Sequence, residues 1–222
     1  MKNFVEGYDD YKLLREKGYP EKASLKIVGD RYRLSRMERN ALFRGVIAHP
    51  ACAERKSKIV EAHGIRDQSI GIDWYNVLIT VESYLRGMPV FISDDGMVRD
   101  SSATHGSYRT ATVTERAQDA IFDTLRSLAP ARIDVFVDSP IAFSAHMADA
   151  VRGRLDGAAP AVSVTLEHSA DYPLKSYRGI VASSDSVVLD AAERICDLPR
   201  LVLTNSFGFT PPALPDLPAP AL

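Results

Sequence analysis

No stretch of the chain approaches the roughly eighteen consecutive apolar residues of a membrane span, and residues 1–10 lack the apolar core of a signal peptide. Cysteine is nearly absent. Cys52 and Cys196 lie far apart and in no CxxC or Cys/His cluster, which speaks against both a disulfide framework and a zinc site. Reduced thiols without a leader lead us to expect a cytoplasmic protein with no membrane partner. His49, His63, His146 and His168 show no metal-ligand spacing. GxSxG, GxxxxGK[ST] and GxGxxG are all missing, so no motif supports a nucleophile elbow, a phosphate loop or a dinucleotide fingerprint. An aspartyl-phosphate phosphatase would want a second Asp two positions after the first, and Asp73 is followed by Trp74 and Tyr75.

What remains is an ordinary core-forming composition, 45% hydrophobic and 25% charged over 222 residues. The net charge of −2 hides an asymmetry: residues 1–68 hold 15 Lys/Arg against 10 Asp/Glu, and the remainder 12 against 19. A basic front and an acidic rear suit a phosphate-binding module joined to a metal-binding one, although solvated helix faces also give such an excess.

Residues 10–62 read as helical. Gly18 and Pro20 stop one helix, Glu21 to about Asp30 restart another, and Ser35 to Glu38 form a capping box. The short link from Arg31 to Ser35 fits either a helix-turn-helix or a small antiparallel bundle; no recognition code is visible. From Ser69 onward the period changes. Strands are predicted at 70–73, 88–92, 132–137, 162–166 and 179–182, with a sixth at 201–203. Helices are predicted at 75–84, from Thr114, from a Ser139 cap with Pro140 to Leu155, and from Ser186 to Ile195. Residues 93–111 read as a long polar loop. Pro211 to Leu222, with five prolines, read as an extended tail, disordered or wrapped over the surface. The alternation argues for an α/β fold: a mostly parallel sheet flanked by helices, behind an N-terminal helical segment. The organisation expected is a basic helical segment at 1–66, an α/β domain at 67–206 and a Pro-rich tail at 207–222.

The strands share an ending. Asp73, Asp95, Asp138 and Asp185 each follow an apolar run, and the carboxyl ends of parallel strands face one side of a sheet. Carboxylates gathered there repel one another unless a cation neutralises them, and hard oxygen ligands suit Mg²⁺ or Mn²⁺. Each can alternatively cap a helix, but Asp73, Asp138 and Asp185 together are hard to explain as independent caps. Asn76 can fix the turn after Asp73, and Asp190 lies about a turn and a half beyond Asp185. In the loop, Asp94, Asp95 and Asp100 are turn residues or a further ligand, and Arg99 and Arg109 are candidate phosphate contacts. His105 is a candidate proton donor to a leaving group, although a lone loop histidine usually has no such role.

The segment Gly71-Ile-Asp-Trp-Tyr-Asn-Val77 resembles the first-strand motif of NYN-type members of the PIN-like nuclease superfamily, where an Asp followed three positions later by an Asn opens the metal site. Ala182-Ser-Ser-Asp-Ser-Val-Val-Leu-Asp190 resembles the family's late segment, a strand delivering an Asp into a Ser-rich turn and helix. The resemblance covers about residues 69–205, and a helical segment like 8–62 precedes such a domain in one prokaryotic group. It implies a Rossmann-like three-layer sandwich and Mg²⁺/Mn²⁺-dependent hydrolysis of phosphodiester bonds, usually of RNA. Asp73, Asp138 and Asp185 would then be metal-site residues. Glu82, Glu115, Asp95 and Asp100 compete for the family's further acidic position; Asp95 is taken for its nearness to a strand. Two other readings stay open: a nucleic-acid-binding or regulatory protein without catalysis, and a toprim-like or phosphatase-like metal enzyme acting on small phosphate esters. Self-association into a homo-oligomer is left open.

Overall fold

The structure is a computed structural model and describes residues 2–101, 112–157 and 159–217. Four helices come first: α1 (Lys2–Glu16), α2 (Glu21–Arg31), α3 (Arg36–Gly45) and α4 (His49–Lys58). The Ser35–Glu38 capping box forms in both directions, so the start of α3 is set by local sequence. Apolar faces of α1 to α3 enclose their own core of Phe4, Tyr8, Tyr11, Val28, Leu34 and Leu42. Phe91 and Leu214, from distant parts of the chain, complete it. Gly45 ends α3 where a Cβ would come within 2.6 Å of Leu214 and 2.7 Å of Phe91, so this close approach requires glycine.

The remaining elements are β1 (Ser69–Asp73), α5 (Trp74–Leu85), β2 (Val90–Ile92), β3 (Val98–Asp100), α6 (Thr112–Leu128), β4 (Arg132–Asp138), α7 (Ser144–Leu155), β5 (Ala161–Glu167), α8 (Asp171–Leu174), β6 (Ile180–Ala182), α9 (Ser186–Ala191), β7 (Arg194–Ile195) and α10 (Leu198–Phe207). Five strands form one wholly parallel sheet in the order β5-β4-β1-β6-β7. Successive β6 residues face opposite sides: Ile180 and Ala182 join the core of α5, α6 and α7, whereas Val181 joins that of α8 and α9. Both faces are thus covered, as a parallel sheet requires. In chain order the strands read third, second, first, fourth, fifth. The direction of winding therefore reverses between β1 and β6, where the chain returns from β5 across the sheet.

Several expectations are corrected. β2 is not part of the parallel sheet; it pairs antiparallel with β3 in a separate hairpin turned at Gly96, whose φ is +85°. β3 is taken from the stretch read as loop. Ser139 and Pro140 do not start α7, because the chain turns first and Phe143 sits in the left-handed region at φ 63°. The helix from Ser186 ends at Ala191, leaving room for β7. Residues 201–203 are helical within α10, which Asp197 caps by accepting from the Arg200 amide, with Pro199 in the first turn. The tail, as far as described, wraps over the surface with Leu214 buried. Among the described residues no helix is long and apolar enough to cross a membrane.

Candidate functional site

Register sets the site. Asp73 ends β1 opposite Phe136, so Asp138 extends two residues further along the neighbouring β4, and β6 on the other side delivers Ser183, Ser184 and Asp185. These are the carboxyl ends of three adjacent parallel strands spanning the winding reversal, the place where open α/β sheets leave a crevice for ligands. Asp73 is 1% exposed. Its Oδ2 accepts from the Ser183 hydroxyl at 2.8 Å and from Asn76 Nδ2 at 2.6 Å, while Oδ1 accepts from the Asn76 amide at a long 3.4 Å. Across the same crevice the Ser184 hydroxyl donates to Asn76 Oδ1 at 2.9 Å. The β1–α5 turn and the β6–α9 turn are thereby tied together by four side chains.

Burial pushes the Asp73 carboxyl up to about 7; hydrogen bonds from Ser183 and Asn76 oppose the rise, and the neighbouring charge of Asp138 adds to it. Asp138 is half-buried, and its Oδ1 accepts from the Ala170 amide at 2.9 Å rather than capping a helix of its own. Asp185 caps α9 by accepting from Val187 and Val188. A fourth carboxylate, Asp171 at the start of α8, is raised by burial and by the charges of Asp185 and Asp138. Sequence reading missed it, because the acidic residue at the end of β5 is Glu167 and Asp171 lies four residues beyond it. The four carboxylates act on one another electrostatically, in pairs through Asp138 and Asp185. Among the described residues, however, no three His, Cys, Asp or Glu side chains converge closely enough to enclose a metal ion unaided.

The remaining sequence candidates lie elsewhere. Asp95 is not a ligand at this edge, because it left with the β2–β3 hairpin. It is fully buried and accepts from Arg99 at 2.7 and 2.8 Å, from Arg55 at 2.9 Å and from Ser93 at 2.7 Å. Burial raises it, but the two guanidinium groups win and hold it well below the ordinary carboxylate range. Arg99 is correspondingly spent. Besides Asp95 it contacts the Ser93 hydroxyl and holds the Ser184 carbonyl at 3.2 Å, so it braces the site instead of meeting phosphate. Asp100 pairs with Arg44 at 3.1 Å and accepts from Thr80 at 3.4 Å. Asp190 is exposed and pairs with Arg55 at 2.7 Å, away from Asp73. Asp94 accepts from Tyr8 at 2.6 Å and faces Lys12. Glu82 accepts from Thr114 and Arg86. Arg109 and His105 lie outside the described residues.

A cleft of about 490 Å³ opens beside Asn76, Ser184 and Asp185, and its opposite wall is α3, with Asn40, Phe43 and Arg44. A second pocket of about 260 Å³ abuts Tyr75 and is lined by Glu115, Gln118, Phe143 and His146. The family model described as a domain of unknown function, DUF5616, matches residues 62–201, the stretch from just before β1 into α10. The chain belongs to the DUF5616 family. Residues 3–58, essentially α1 to α4, match a second model, the protein of unknown function DUF434. The uncharacterized protein MJ0935 of Methanocaldococcus jannaschii is 25% identical over 181 residues, covering 82% of this chain and 86% of that protein. Its alignment is long enough to include parts of both matched regions. No solved structure matches the chain.

Proposed function

We propose that this DUF5616 member is a PIN-like, NYN-type nuclease that hydrolyses phosphodiester bonds of RNA with Mg²⁺ or Mn²⁺. The observation that carries the proposal is Asp73: a carboxylate 1% exposed at the winding reversal, beside the like charge of Asp138 and hydrogen-bonded to Asn76, which lines a cleft. An arrangement of this kind is costly in the free protein and is relieved by a cation. Asp73 Oδ1, with its single long hydrogen bond, is the oxygen left for such a ligand, and Asp138 is the second. Two carboxylates fit Mg²⁺, which commonly keeps several waters and takes further oxygens from substrate phosphate rather than from an all-protein cage. When bound, the ion would supply charge stabilisation and an activated water for in-line displacement.

The chain's own residues do the positioning. Ser183 and Asn76 hold the Asp73 carboxylate in one orientation, and Ser184, itself braced by Arg99, holds Asn76. Asp185 is committed through Oδ1 to the α9 cap, which fixes the turn that carries Ser183 and Ser184. The test is incubation of the purified chain with single-stranded and structured RNA in Mg²⁺ and Mn²⁺, with Asp73→Asn as control. Cleavage lost in the variant supports the proposal. A second reading, a nucleic-acid-binding or regulatory protein without catalysis, is favoured by the absence of three convergent ligands among the described residues. RNA bound but left intact would select it, and activity on small phosphate monoesters alone would select a phosphatase-like enzyme.

A further inference from the structure

We infer that the two pockets on either side of Asp73 each seat one unpaired base of a single nucleic-acid strand, stacked on Phe43 in the first and on Phe143 in the second, with the intervening phosphate at Asp73 and Asp138. The inference rests on reading that acidic group as a phosphodiester site, and it names the substrate as single-stranded.

Placement comes first. The two pockets are lined by consecutive residues of one helix start, Asn76 in the larger and Tyr75 in the smaller, respectively three and two positions after Asp73. The larger lies toward β6, since Ser184 and Asp185 line it; the smaller lies toward β4, since the β4–α7 turn and α7 line it. A strand running from one to the other passes the carboxyl ends of β1 and β4, where Asp73 and Asp138 sit.

Chemistry then distinguishes a base from a phosphate as occupant. Among the described residues, the larger pocket's two guanidinium groups, Arg44 and Arg99, are already paired with Asp100 and Asp95, and Glu21 and Asp185 add negative charge. A phosphate there would meet carboxylates. A flat neutral heterocycle suits the same walls, with an exposed ring at Phe43 for its face and the side-chain amide of Asn40 near its edge. The cavity's volume is of the size that small-molecule sites use.

Phe143 is the second platform. It is 73% exposed and is held at φ 63°, a left-handed conformation that costs a bulky residue on the order of 1–3 kcal/mol. Its ring lies 6.4 Å from that of His146 at the pocket rim. Neither ring contributes to the buried cores, so packing does not account for either. Duplex RNA keeps its bases stacked inside the helix and cannot offer them to such pockets.

The test uses the full chain carrying Asp73→Asn, to prevent turnover, with a fluorescently labelled single-stranded RNA of mixed sequence and a blunt duplex of the same length. Fluorescence anisotropy in Mg²⁺ should show tighter binding to the single strand. Phe43→Ala and Phe143→Ala should each weaken that binding on the order of 5- to 100-fold, while Phe43→Trp and Phe143→Trp retain it. Thermal melts that match the parent would show that folding is intact. Equal affinity for duplex, no measurable binding of the single strand, or alanine variants that bind like the parent would overturn the inference. If the alanine variants bind like the parent while the wild-type chain cleaves RNA, the nuclease reading survives and the base pockets do not. If binding depends on both rings while the wild-type chain leaves the RNA intact in Mg²⁺ and Mn²⁺, the pockets stand and the nuclease reading falls.

Discussion

Asp73→Asn should make the metal-free protein more stable while removing the proposed activity. The ordinary value of 3.8 rises to about 7 in the folded chain. At about 1.4 kcal/mol per unit, ionised Asp73 costs the fold about 4 kcal/mol once the pH exceeds 7. The substitution keeps most of the local bonding. Asparagine's carbonyl oxygen can take the Oδ2 place and accept from Ser183 and Asn76 Nδ2, and its NH₂ then forfeits only the 3.4 Å contact to the Asn76 amide. Allowing about 1 kcal/mol for the lost contact, we expect a net gain of about 2–3 kcal/mol at pH 8, or a melting temperature higher by about 5 °C or more. The sign with pH follows from the raised folded value. Stability linked to protonated Asp73 is fully present below about pH 4 and is lost as the pH climbs toward about 7. The variant lacks this group, so its advantage should be small at pH 4–5 and largest at pH 8. Denaturant melts of both proteins across that range, with EDTA present, measure the difference. A variant that is less stable at pH 8, or one whose advantage does not shrink as the pH falls, would refute the burial argument. Adding Mg²⁺ should stabilise the wild type and leave the variant unchanged, since binding to the folded state alone raises its melting temperature.

Further expectations follow from the same contacts. Asp95→Ala leaves Arg55 and Arg99 buried without their shared counterion and should destabilise the chain by about 3–5 kcal/mol in urea melts. An effect under about 1 kcal/mol would show that the network contributes little. Leu214→Ala should cost about 2–5 kcal/mol, because Leu214 completes the core of α1 to α3 against Phe91 and Gly45. Deletion of residues 211–222 with no change in melting temperature would contradict that placement. Ser35→Ala removes one half of the capping box and should cost about 1 kcal/mol, read from thermal melts and helical circular dichroism.

Much of the fold was legible in residue patterns, because the relevant forces act within a turn or two. The capping box at Ser35, the Gly18–Pro20 stop, and the alternation of short apolar runs with helical periodicity are local. They correctly placed β1, α5, β4, β5 and β6, and with them a parallel sheet. A parallel sheet in turn puts every strand's carboxyl end on one side, so the positions of Asp73, Asp138 and Asp185 at that edge followed from element order alone. Strand neighbours did not follow, since pairing is decided by burial between segments distant in the chain. β2 reads like a sheet strand, yet it pairs with β3 and carries Asp95 into a cage of two arginines. Residues 201–203 have strand-like composition, but the Asp197 cap and the packing of Leu198 and Val202 into the main core make them helix. Asp171 joins the acidic edge only because β5 brings it beside Asp138, and α3 becomes the far wall of the cleft only because the N-terminal helices bury Phe91 and Leu214. Local sequence determined the acidic edge; long-range burial decided which charges remain there and which surface faces them.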